Sequence, residues 1–224
     1  MLPIPESFPI LSPPPLASEP ILIYGGGSLV GQYMVKVLHA AGYANIITTA
    51  SPKHHELLRA LGAAYTFDYH SPTLVADIAK TVGGDGKVKL VMDPIAAKAS
   101  LSIIGGIIDP QGTLAVLAPL KEGSSITVGS ADEIYISFPP HWDGILPKDL
   151  KVLIVSTGRG FEKVPHMRDN VMHRILPQLL ESGIIKPSRS LLVDQGSLKD
   201  RALKGLDLLR KGQVSGKKLV IKIA

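Results

Sequence analysis

Residues Pro20–Gln32 read PILIYGGGSLVGQ. Ile21–Tyr24 form a short continuous apolar run, the pattern of a strand buried on both faces. Three glycines follow, and then a stretch whose apolar residues recur at helical spacing. A strand that passes through a glycine turn into a helix is a cradle for a nucleotide phosphate. The strict G-x-G-x-x-G spacing is not met: Gly25 and Gly27 supply the first two glycines, Val30 stands where the third belongs, and the next glycine is Gly31. The turn is one residue longer than the strict form, and its chemistry survives. Gly25, Gly26 and Gly27 let the backbone approach a pyrophosphate. The N–H groups of the helix start, at Ser28, Leu29 and Val30, stabilise the anion. Gly31 allows the helix to lie close on the first strand. A glycine turn kept only for packing is the alternative.

Outward from that turn, strands and helices alternate. NIITTA (45–50), AYTFDY (64–69), KVKLVMD (87–93) and TLAVLAP (113–119) read as strands. The first helix places Val30, Met34, Val37, Leu38 and Ala41 on one face and closes at Gly42. KHHELLRALG, TLVADIAKTV and AKASLSIIGGII read as the helices between the other strands. Such alternation predicts an α/β, Rossmann-like, doubly wound parallel sheet. Beyond Pro119 the pattern loosens into short strands SITVG and EIYISF, a loop-rich PPHWDGILPKD, and a further strand KVLIVS. His166–Gly183 reads as one long helix kinked at Pro177. The end reads as strand SLLVD, helix LKDRALKGLDLLRKG and strand KKLVIKI. These features divide the chain into a proline-rich arm (1–19), a nucleotide-binding core (20–160) and a C-terminal helix with a strand-helix-strand segment (161–224). Seven prolines among the first twenty residues predict an extended arm.

Bulk properties bound the function. The chain has 224 residues, no cysteine and a formal charge of +5. Disulfides, thiolate zinc sites and cysteine nucleophiles are therefore excluded, and a reducing, cytoplasmic compartment is expected. No apolar run is long enough to cross a bilayer, so no membrane role is expected. From Lys199 onward eight bases face only Asp200 and Asp207. That patch is either a solvated helix face or a dock for an acidic partner such as a carrier protein. No aromatic residues interleave with those bases, which argues against nucleic acid.

The second strand bears on the cofactor. A protein that prefers NAD carries an acid about 20 residues past the turn, to hold the ribose 2′-hydroxyl. Here TTASPKHHE (48–56) has none before Glu56. Ser51 and Lys53 offer a hydroxyl and a cation instead, which suit the 2′-phosphate of NADPH. His54 and His55 are expected in solvent or beside that phosphate.

Together, EPILIYGGGSLVGQYMVKVLHAAGY (19–43), ITTASPKHHELLRALGAAYTFDYHSP (47–72), LVMDPI (90–95) and LDLLRKGQVSGKKLVIKI (206–223) resemble the medium-chain dehydrogenase/reductase superfamily. The resemblance is strongest to fungal trans-acting enoyl reductases of polyketide biosynthesis and to zinc-free quinone reductases. It implies a Rossmann fold with NADPH, hydride transfer to an enone or enoyl substrate, and no metal. It also implies that Ser51, Lys53 and Tyr69 surround the 2′-phosphate. Asp93 with the segment after it, Leu117–Pro119 and Phe138 would lie near the nicotinamide. Members of that superfamily carry an N-terminal substrate domain, and this chain starts in what looks like the connection after it. The expectation is a truncated active site, with the apolar C-terminal strands covered by a homodimer contact or a partner protein.

Candidate chemistry outside the turn centres on YISFPPHWDGILPK (135–148). His141 beside Asp143 reads as an acid–base pair and Tyr135 as a further polar group, while Trp142 and Phe138 would line a pocket for a planar, polyketide-like substrate. A surface loop whose Trp142 plugs the sheet edge is the plain alternative. His166, Asp169, Asn170 and His173 share a helical face, more in keeping with an exposed polar surface than with a metal site. Three functions remain open: an NADPH-dependent reductase, a redox-neutral cyclase or isomerase derived from one, and a non-catalytic NADPH-binding scaffold.

Overall fold

The computed structural model describes residue 10 and residues 12–123, 134–156 and 165–223. Strand β1 (Ile21–Tyr24) has no exposed side chain and lies in the middle of a six-stranded sheet. On one side it pairs with β2 (Ile46–Thr49), and β2 with β3 (Tyr65–Phe67). On the other side it pairs with β4 (Val88–Asp93), then β5 (Ile108–Leu117) and β8 (Lys151–Val155). All five pairings are parallel, so the predicted Rossmann-like sheet is present, in the order β3-β2-β1-β4-β5-β8. The short strands β6 (Leu120–Lys121) and β7 (Ile134–Tyr135) form a separate antiparallel pair.

Helices cover both faces. α1 (Leu29–Ala40) and α2 (His55–Ala60) lie on one face, where Val35, Leu38 and Leu58 meet Ile21, Ile23 and Ile46. α3 (Leu74–Val82) and α4 (Lys98–Ile107) lie on the other, where Ile78, Leu101 and Ile104 meet Leu22, Ile47 and Val91. Alternate strand residues feed the two cores, which is why the strands read as unbroken apolar runs. The α1 face carries Met34, Val37, Leu38 and Ala41 onto the sheet as predicted and departs from the prediction at Val30. Ser28 caps the helix, the buried positions are Gly31, Val35 and Leu38, and Val30 points outward, 44% exposed.

The predicted 166–183 helix is three pieces. α5 (Pro165–Asn170) passes into a π-helical turn at Val171–Ile175, and α6 (Leu176–Glu181) follows. The wide turn stands just ahead of Pro177, whose ring cannot donate and crowds the carbonyl one turn earlier. Ile175 and Leu179 then pack onto the α1 side of the sheet. The described part of the proline-rich arm is not extended: Ala17 N donates to Pro14 O and Glu19 N to Leu16 O, forming successive turns. Among the described residues of EIYISF, 134–138, Ile134 and Tyr135 are strand, and SITVG lies outside the described residues.

At the end of the chain β9 (Ser190–Val193), α7 (Leu198–Arg210) and β10 (Lys218–Ile221) form a parallel strand-helix-strand unit. Gly205 brings α7 close to Leu219 and Ile221. Leu203 and Leu206 are left about half exposed on its other side, and Leu198 and Leu209 near its ends are equally exposed. No described helix is long and apolar enough to cross a membrane.

Candidate functional site

The chain reverses direction across the sheet at β1, whose neighbours are β2 and β4. In open parallel sheets the crevice beyond the carboxyl ends of such strands is where ligands bind. A cavity of about 310 Å³ opens there, lined in part by Tyr24, Gly25, Gly27, Ser28, Thr49 and Ile95.

The glycine turn is held by the neighbouring strand. Gly25 N donates to Thr49 Oγ1 at 3.0 Å and Gly26 N to Thr49 O at 2.9 Å. Thr48 is fully buried and donates its hydroxyl to Ile23 O at 2.8 Å. Ser28 Oγ accepts from Gly31 N at 3.0 Å and donates to Gly25 O at 2.9 Å. That cap leaves the first helical N–H groups, those of Leu29 and Val30, for an outside acceptor. Gly31 has no room for a side chain, because a Cβ there would come 2.6 Å from Gly26 Cα. A bare backbone, a capped helix start and an open cavity suit the pyrophosphate of a dinucleotide.

Of the residues expected at the 2′-phosphate, Ser51 and Tyr69 line the cavity, and Ser51 Oγ lies 3.5 Å from the Tyr69 hydroxyl. Lys53 is exposed just outside it, in a 3₁₀ turn at Pro52–His54. His54 departs from the solvent-exposed expectation. It is 8% exposed, lines the cavity and stands 2.9 Å from Ser215 Oγ through Nε2. Burial, then Lys53, Arg189 and His55, lower its proton affinity below the ordinary histidine value. His55 turns back to Ala50 O at 2.9 Å.

Asp93 does not face the cavity. It is fully buried, its Oδ1 accepts from Ile95 N at 2.8 Å and Ala96 N at 3.1 Å, and its Oδ2 accepts from Ser100 Oγ at 2.7 Å. Its task is to shape the loop that places Ile95 in the cavity wall. Burial raises its proton affinity, while the Ser100, Ala96 and Ile95 hydrogen bonds and Lys121 pull it back down. Tyr24, pushed up to about 12 by burial, Asp93 and Tyr69, stays neutral in the wall. Leu117 ends β5 and exposed Pro119 follows it, both away from the cavity lining.

A second polar cluster lies past β5, and its carboxylate is Glu122, not Asp143. Glu122 Oε2 accepts from His141 Nε2 at 2.9 Å and from Trp142 Nε1 at 2.8 Å. Its Oε1 accepts from Lys98 Nζ at 2.6 Å. These three donors hold its carboxyl down at about 2. Asp143 instead accepts from Gly144 N. Tyr135 and Phe138 stack edge-on against Trp142, with ring centres 5.8 and 6.0 Å apart. Trp142 is buried in the α4-side core, and with Phe138, Asp143 and Lys148 it lines a separate, wider cleft beside β8. Two of the expected acid–base groups, His141 and Tyr135, therefore come together, and the cofactor and aromatic clefts are distinct.

Sequence reasoning missed Thr49, Gln32, Ser215 and Gly216 as parts of the cradle, and Glu122 as the partner of His141; for His54 it left open solvent or the phosphate side, and the structure puts it in the cavity wall. The only signal for Gly216 was a glycine between a helix and a strand. Among the described residues no three His, Asp or Glu side chains gather as a metal site. In the 166–173 segment Asp169 pairs with Arg168, and Asn170 donates to His166 O. The described residues do not fit a zinc centre, so zinc is given no role.

Comparison with known proteins places this geometry. Residues 30–166 match the family model described as zinc-binding dehydrogenase. The trans-enoyl reductase eqxC of Fusarium heterosporum is 28% identical over 213 residues, covering 90% of this chain and 54% of the relative. The trans-enoyl reductase mpsG of Macrophomina phaseolina is 30% identical over 204 residues, covering 89% of this chain and 54% of the relative. The chain thus spans about half the length of these relatives. Among solved structures, the CurK enoyl reductase superposes with a TM-score of 0.65 at 18% identity, over 92% of this chain and 55% of the other.

Proposed function

The chain belongs to the zinc-binding dehydrogenase family, within the medium-chain dehydrogenase/reductase superfamily, and on that premise we propose that it binds NADPH in the glycine-turn cavity and acts in the reduction of an enone or enoyl substrate. The observation that carries this is the cavity itself. A glycine turn pinned by Thr49 and a helix start capped by Ser28 face Ser51 and Tyr69 across one opening, with Lys53 outside it. The fungal trans-enoyl reductases it resembles motivate a polyketide-like enoyl substrate.

When bound, NADPH would supply a hydride for the β-carbon of the substrate. The chain's own part is to hold and orient. Leu29 and Val30 offer N–H groups to the pyrophosphate, and Lys53, Ser51 and Tyr69 offer a cation and two hydroxyls to the 2′-phosphate. Ile95, placed by Asp93, forms an apolar wall, and neutral Tyr24 adds a hydroxyl beside the turn.

A redox-neutral cyclisation or isomerisation is the second reading, favoured by the His141–Glu122 contact. Glu122 takes the Nε2 side of the ring and leaves Nδ1 to meet a substrate proton.

The deciding experiment is a fluorescence titration of the chain with NADPH, with NADH as control. Saturable binding that prefers NADPH supports the first function. No binding at millimolar cofactor removes it and leaves the second, tested with enone substrates and a His141→Asn variant in the absence of cofactor.

A further inference from the structure

The cavity has a second wall, supplied from the far end of the chain. Val214, Ser215 and Gly216, in the turn between α7 and β10, face the glycine turn across the opening. Two side chains tie the walls together. Gln32 Nε2 donates to Gly27 O at 3.1 Å and to Gly216 O at 3.4 Å. His54 Nε2 meets Ser215 Oγ at 2.9 Å. Gly216 has φ +64°, and a Cβ there would come 2.9 Å from His54 Cε1 and 3.0 Å from Gln32 Nε2. Only glycine lets the two turns close to this distance. His54 also sits directly over the phosphate cradle, since a Cβ on Gly27 would lie 3.0 Å from its Cδ2.

We propose that His54 and Ser215 are ligands for the pyrophosphate of the dinucleotide, which they close against the glycine turn from the C-terminal side. This rests on the cavity being a dinucleotide site. The ionisable groups that act on His54 are Lys53 and His55 from its own segment and Arg189 from the approach to β9, and all three are bases. With burial, they keep the free imidazole neutral. A pyrophosphate brings two negative charges into that field, so the imidazole takes a proton from solvent as the anion binds. The Ser215 hydroxyl, released from His54, donates to a phosphate oxygen. Binding then tightens as pH falls through the neutral range. Both NADPH and NADH carry the pyrophosphate, so both feel His54, whereas Lys53 distinguishes between them. The anion would also lock the 213–217 turn onto the glycine turn.

The test is calorimetric titration of the full chain with NADPH and NADH between about pH 6 and 8, in phosphate-free buffers of differing ionisation enthalpy. Wild type, His54→Gln and Ser215→Ala are compared. The difference between wild type and His54→Gln separates the imidazole proton from that of the cofactor's own 2′-phosphate. Wild type should take up more protons than His54→Gln. The variant should bind both dinucleotides roughly tenfold more weakly at the acid end of the range. Ser215→Ala should weaken both and keep the proton uptake. Amide exchange at 213–217 should slow on binding in wild type. If NADPH binds with no proton uptake beyond that of His54→Gln, or with equal affinity in that variant, His54 is no phosphate ligand, and the dinucleotide reading stands without it. If neither dinucleotide binds, both fall. Should His54→Gln fail to fold by circular dichroism, the Ser215→Ala affinity and the 213–217 exchange decide, and no change in either overturns the proposal.

Discussion

Trp142 donates its indole N–H to Glu122 Oε2 at 2.8 Å, which makes the one tryptophan of the chain a reporter of the Glu122 cluster. Replacing Glu122 by Gln removes the charge that Lys98 and His141 share with it. Trp142 emission should shift to the red as its loop loosens. The acid response should also change. A carboxyl held at about 2 against an ordinary 4.5 stabilises the fold fully above 4.5, and loses that contribution as pH falls towards 2. Wild type should lose stability over that interval more steeply than Glu122→Gln, as followed by Trp142 fluorescence.

Gly31→Ala tests the close approach of α1 to the turn. The atoms a Cβ would meet are backbone, Gly25 O and Gly26 Cα, and they cannot rotate away. We expect a loss of about 1–3 kcal/mol in thermal unfolding, with weakened cofactor binding.

Asp93 serves structure, so its substitutions should separate packing from chemistry. Asp93→Ala orphans the Ile95 and Ala96 N–H groups and should cost about 2–4 kcal/mol, visible as a fall in Tm of roughly 5–15 °C. Asp93→Asn keeps an acceptor for those groups and should cost less. Burial raises the proton affinity of Asp93 above its ordinary 3.8. The protonated form therefore favours the fold below 3.8, and that contribution is lost as pH rises through the folded-state value. Asp93→Asn should remove this dependence in pH-resolved denaturant titrations.

Lys53→Glu reverses the charge at the mouth of the cavity without touching its wall. NADPH affinity should fall roughly tenfold or more while NADH changes little, and added salt should reduce the contrast. Equal losses for both cofactors would place Lys53 away from the 2′-phosphate.

The leucines on the outer side of α7 contribute little to the isolated fold. Leu203→Glu and Leu206→Glu should each shift stability by about 0.5 kcal/mol or less. A larger loss, or a change in sedimentation, would show that the face is covered in solution.

Much of this protein can be read from local chemistry. Ile21–Tyr24 had to be a buried strand and the glycines after it had to turn into a helix, because period and φ range depend on near neighbours. The same locality made Ser51 and Lys53 candidates for a 2′-phosphate, through the missing acid after the second strand, and Ser51 does line the cavity. Tertiary structure decided what depends on distant segments. Val30 faces outward because packing against the sheet, not apolar spacing alone, sets the rotation of α1. The carboxylate beside His141 is Glu122, nineteen residues away, because the Glu122 and His141 segments converge beyond β5. His54 meets Ser215 across 161 residues because the last crossover returns the chain to the glycine turn. Sequence spacing carries no trace of such meetings: a hydrogen bond depends on distance in space, and the chain path that brings its ends together is set by the sheet order.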